Sequence, residues 1–183
     1  MSHIRRLPIV AGAFVVVACN GGDAAHDGVT APALNLAQAG QASEAVAANV
    51  QVPVLRGIVE SFHFSAVRRN GVVSGEWTVK DPVDPEAPGL ASGTVICFSI
   101  QPDGRTVFLG GVIERNNFGI PAGSGAAWTV VDNGKPGAGV DLSTDLTFGF
   151  PSSNAATNHC ATGTTFTNIP PTPLLAGNVQ VKR

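Results

Sequence analysis

The chain has 183 residues, 11 basic against 13 acidic, and 13% charged side chains, about half the usual ~25%. A net charge of −2 with no basic cluster excludes the electrostatic footprint of a nucleic-acid binder. Gly (22) and Pro (13) supply turns, and few stretches favour helix, so the composition points away from a helical bundle.

In chain order, Arg5 and Arg6 precede an apolar segment from Leu7 to Ala18, which is too short to span a bilayer as a stable helix. A positive start followed by a short apolar run reads as a secretory signal over residues 1–18. At its end, Val16-Val17-Ala18-Cys19 resembles the lipobox of bacterial lipoprotein signal peptides. The resemblance implies cleavage after Ala18, a diacylglyceryl thioether on Cys19 and an acylated new amino terminus carrying a fatty acid such as palmitate. Several acyl chains on one residue meet the requirement for stable anchoring. Asn20 resembles the outer-membrane sorting choice of enteric bacteria. The expected location is therefore the cell envelope, lipid-anchored, at the outer membrane.

Removal of residues 1–18 leaves 165 residues with 9 basic against 13 acidic side chains, enough for one domain and a tail. Residues 19–56 are rich in Ala, Gly and Gln and read as the lipidated terminus and a tether, with His26 solvated. A flexible tether of this length allows a stand-off of roughly 30 Å. A short helix from Leu34 to Ala48 is compatible with the pattern, but its mostly alanine face would bury little.

From Val54 the texture changes to alternating runs punctuated by turns, and residues 57–183 read as an all-β domain. In SFHFSAVRRNGVVSGEWTVK, Asn70-Gly71 is a two-residue type I′ hairpin signal. That turn pairs Phe64 with Trp77 and Phe62 with Val79 on one face, and His63 with Thr78 and Ser65 with Glu76 on the other. SGTVICFSIQPDGRTVFLGGVIER repeats the form around Pro102-Asp103-Gly104. Alternation sets Ile96, Phe98 and Ile100 on one side and Val95 and Cys97 on the other. The partner run is apolar on both faces around Phe108 and Leu109, which predicts a central pair covered on both sides. AAWTVVD, LTFGF and GNVQVK supply further strands. The expected architecture is an antiparallel β-sandwich or a small β-barrel.

With Cys19 assigned to lipid, Cys97 and Cys160 remain. In an oxidising compartment an even remainder predicts one disulfide tying a late loop over the second face; the alternative is two separate buried thiols. Closure of so long a loop is worth about 4 kcal/mol in the chain-entropy description.

No G-x-S-x-G, H-E-x-x-H, Walker A, C-x-x-C or G-x-G-x-x-G occurs in the chain. His63 falls on a polar surface, and His159 beside Cys160 is a thiol–imidazole candidate only if that cysteine is reduced. Asp132, Asn133, Asp141 and Asp145 form a calcium candidate, since calcium takes six to eight oxygens and clustered loop carboxylates can supply them. KDPVDPEAPG adds Asp81, Asp84 and Glu86. Turn chemistry accounts for the same residues, because Asp and Asn side chains bond nearby backbone. The stretch WTVVDNGKPGAGVD with the later GNVQVK resembles the C-terminal part of uncharacterised bacterial secreted β-proteins, which implies an extracytoplasmic β domain and lends no activity, ligand or catalytic residue.

These readings lead to an anchored envelope lipoprotein with a non-enzymatic β domain for binding or surface structure. Its partners would be the membrane through its lipid and a protein or glycan at the cell surface. The competing reading is an envelope hydrolase or small-ligand carrier with a loop-built or barrel pocket.

Overall fold

A computed structural model describes residues 43–54, 58–82, 89–134, 139–164 and 169–183. Cys19, His26, Asp84 and Glu86 lie outside the described residues. The strands are β1 (Glu44–Pro53), β2 (Val59–Arg69), β3 (Val72–Asp81), β4 (Gly89–Ile100), β5 (Thr106–Asn116), β6 (Gly125–Val131), β7 (Leu142–Ser143), β8 (Thr147–Phe150), β9 (Thr172–Pro173) and β10 (Ala176–Lys182), with one helix, α1 (Asn154–Thr162). All pair antiparallel in one sheet of order β10-β1-β2-β3-β4-β5-β6-β7-β9, with β8 also on β6. The class is all-β, as expected. A sandwich needs two sheets, whereas this single sheet curls on itself. Phe62 on β2 and Trp128 on β6 stand four strands apart yet their ring centroids are 5.2 Å apart. In a flat sheet that separation would be about 19 Å.

The β2–β3 hairpin has the register read from sequence: Phe64 faces Trp77, Phe62 faces Val79 and His63 faces Thr78. Asn70 and Gly71 both take positive φ (54° and 77°), the backbone that a type I′ turn requires. Phe62, Phe64, Trp77 and Val79 point into the curl and join Trp128 in a tightly packed aromatic core. Trp77 lies over Gly93 on β4 and Gly111 on β5. A Cβ added at Gly111 would sit 2.5 Å from the indole Nε1. The core thus needs a missing side chain as much as the large ones it contains.

In β4–β5 the simple alternation fails. A bulge between Val95 and Cys97 leaves Ile96 out of the pairing, so Val95 and Phe98 both face the core. The expected grouping of Ile96 with Phe98 is corrected by that extra residue. The turn forms where expected: Gly104 (φ 74°) donates its N–H to Gln101, and the Asp103 carboxylate accepts from the N–H groups of Arg105 and Thr106. The Thr106 hydroxyl, which also donates to this carboxylate, and then those two N–H groups hold Asp103 down at a pKa of about 2.

α1 covers the outer faces of β4, β5 and β6 around Cys97 and Gly110, so there the pair is central and covered on both sides, as its two apolar faces predicted. Cys97 and Cys160 are bonded as a disulfide with Cα atoms 6.2 Å apart. The segment it ties down is a helix, not the loop expected. Gly163 ends that helix in the left-handed conformation, its N–H bonded to the carbonyl of His159.

Strand β1 corrects the reading of residues 44–53 as tether and of 44–48 as helix. Val46, Ala48, Val50 and Val52 point inward while Asn49 and Gln51 point out. This strand lies between β10 and β2, with backbone partners on both sides.

Candidate functional site

The four residues grouped as a calcium candidate do not form one site. Asp132, Asn133 and Asp141 meet at the seam where the curl closes against β10. Asp141 accepts from the N–H groups of Asn133 and Val179, both at 2.7 Å. Asp132 accepts from Gly134 at 2.8 Å and Val181 at 2.9 Å. All four carboxylate oxygens therefore face backbone donors, a positive environment suited to an anion and opposed to a cation. The Asn133 amide donates to the Val140 carbonyl, and Arg105 bonds both the Asp132 carbonyl and the Asn133 side chain. These side chains stand in for a missing ladder: they satisfy the free edge of β10. Among the described residues no group of three or more His, Cys, Asp or Glu is placed to hold a metal ion.

Asp145 is elsewhere, hydrogen-bonded to Glu60, a residue the sequence reading did not single out. Glu60 occupies an inward position of β2, in phase with Phe62 and Phe64, and is 5% exposed. Its parity was the available signal: an acid on the apolar face of a strand. Burial pushes Glu60 up to about 9, helped by the charge of Asp145, the bond to it and the charge of Asp81. Burial raises Asp145 as well. At neutral pH Glu60 keeps its proton and is hydrogen-bonded to Asp145. Beside the pair lies a cleft of about 260 Å³ lined by Pro53, Val54, Asp145, Ile169 and Thr172. Two hydrogen-bonded carboxyls, one of them protonated at neutral pH, beside a cleft are the minimum equipment for acid–base chemistry.

The opposite end of the curl carries the other inward-facing charge of β2. Arg68 pairs with Glu44, bonds the Phe98 carbonyl and stands 4.4 Å from the centroid of the Phe98 ring.

His159 is wholly buried between α1 and β6. Its Nε2 lies 2.9 Å from the Trp128 carbonyl and 3.3 Å from the Thr129 hydroxyl, while Phe108 packs on its ring. Burial lowers its pKa against the opposing bonds to the Trp128 and Thr164 carbonyls, and Nε2–H donates to Trp128. With Cys160 oxidised, no thiolate is available to it, and His159 fastens the helix to the sheet. His63 lies exposed on the outer face beside Thr78, as its register predicted.

Comparison of this chain with protein families, with curated proteins and with solved structures finds no match.

Proposed function

We propose that this protein is a lipid-anchored bacterial envelope lipoprotein, at the outer membrane, whose β domain acts by binding a surface partner. Cys19 at the end of its apolar run supports the anchor, and the Cys97–Cys160 bond suits an oxidising compartment. The observation that carries the binding role is the packed interior. Phe62, Phe64, Trp77 and Trp128 fill the curl, so the outer face of the sheet is the working surface. Replacement of Cys19 by Ser tests the anchor: the protein should move from the membrane fraction to the soluble envelope fraction, and its retention in the membrane would overturn the reading.

The Glu60–Asp145 pair favours a second reading, an envelope hydrolase working at the adjacent cleft. Turnover of generic ester, glycan and peptide substrates that disappears in Glu60→Gln would replace the binding role with this one.

A further inference from the structure

The outer face of the sheet carries a continuous polar row. Register places Asn178, Asn49, His63, Thr78, Ser92 and Arg115 side by side on β10, β1, β2, β3, β4 and β5. Strands stand about 4.8 Å apart, so the row runs about 24 Å at right angles to them. Each position offers a hydroxyl, amide, imidazole or guanidinium, and all are exposed except half-buried Ser92.

At its β3–β5 end the row drops into a groove of about 370 Å³, lined by Thr78, Leu90, Ser92, Arg115 and Asn117 among others. Leu90, 46% exposed, gives this groove an apolar wall. Lys80 stands directly across from Leu90 on β3. Neither Lys80 nor Arg115 has an ion-pair partner among the described residues. Among the described residues, Glu76 and Glu114 are the outward acids on β3 and β5. Glu76 lies two residues along β3 from Thr78, opposite Thr94, and Glu114 is bonded to the Thr94 hydroxyl, so both stand on the Thr94 side of the row, away from Lys80 and Leu90.

We propose that this row and groove bind a linear acidic polysaccharide, a chain of uronate sugars. The chemistry of such a polymer matches the surface feature by feature. A pyranose ring presents an apolar C–H face for Leu90 and hydroxyl edges for Asn49, Thr78 and Ser92, while its carboxylate suits the fork of Arg115 and the ammonium of Lys80. A row crossing six strands contacts several successive sugars, as an extended polymer requires and a small ligand does not. The inference deepens the binding role proposed above and rests on it.

Affinity electrophoresis and titration calorimetry of the full chain with polygalacturonate provide the test. Dextran and inorganic phosphate serve as the other probes. Binding to polygalacturonate is expected, weakened by added salt. Arg115→Gln should weaken it about tenfold, the size of one lost charge-assisted pair. Lys80→Gln should weaken it less. Arg69→Gln, an exposed cation outside the row, should leave it unchanged. The proposal is overturned if wild type ignores polygalacturonate, if dextran binds equally well, or if Arg69→Gln matches Arg115→Gln. Binding to free phosphate without the uronate polymer overturns it too, since phosphoryl recognition would then explain the cations. The Cys19 fractionation reads the anchor separately and is unaffected by any of these results.

Discussion

Glu60 makes the stability of this domain fall as pH rises, and the slope can be worked out. In the unfolded chain its carboxyl ionises near its ordinary value of 4.5; in the folded protein it holds its proton to about 9. Between those values unfolding releases one proton, so each rise in pH favours the unfolded state. The stabilising contribution is complete below about 4.5, declines through the interval and stops declining above about 9. One proton corresponds to about 1.4 kcal/mol per pH unit, hence about 3 kcal/mol lost between pH 5 and pH 7. Glu60→Gln keeps a donor toward Asp145 and a similar volume but cannot ionise. Urea unfolding of both proteins at pH 5, 6, 7 and 8 should show the variant's slope shallower by about one proton, with the m-value unchanged. Parallel pH curves for wild type and Glu60→Gln would refute the buried protonated carboxyl and with it the described environment of Asp145.

Other expectations follow from the seam, the staple and the core. Asp141→Ala removes the acceptor for the N–H groups of Val179 and Asn133; it should cost about 2–4 kcal/mol and speed amide exchange at Val179. Because the seam carboxylates already face backbone donors, neither calcium nor a chelator should move the thermal midpoint; a rise of several degrees with calcium would count against that assignment. Replacing Cys97 and Cys160 together by Ala should lower stability by about 4 kcal/mol, read by denaturant titration against the oxidised wild type. Gly111→Ala should cost about 1–3 kcal/mol by crowding Trp77, whereas Gly71→Ala has open space and strains only the turn backbone. Equal thermal shifts for these two glycine variants would argue against the indole lying where it does.

The hairpin of β2 and β3 was legible residue by residue because two independent signals, the Asn70-Gly71 turn and the period-two aromatics, demanded the same register. Strand β1 was hidden by composition: alanine at 45, 47 and 48 blurred the contrast between its faces, although Val46, Val50 and Val52 kept the period. Helix α1 buries only Ala156, His159 and Cys160, too narrow an apolar stripe to announce itself, and the disulfide together with the His159 bond replaces the usual hydrophobic payload. The bulge at Ile96 left no local trace. For the candidate sites, local reading found the loop acids but could not separate them, because Asp132 and Asp141 meet β10 and Asp145 meets Glu60 only through contacts across the curl. Glu60 could have been found from its phase with Phe62 and Phe64.

The arrangement of β1 governs when the domain can become native. Its two neighbours are β2, a few residues downstream, and β10, the last of the ten strands to be synthesised. A nascent chain therefore offers β1 with one flank bare until residues 176–182 have emerged, so the sheet order is completed only when the last strand is made. The final strand closes the edge that the first one leaves open, and the native pairing is fixed in one late event.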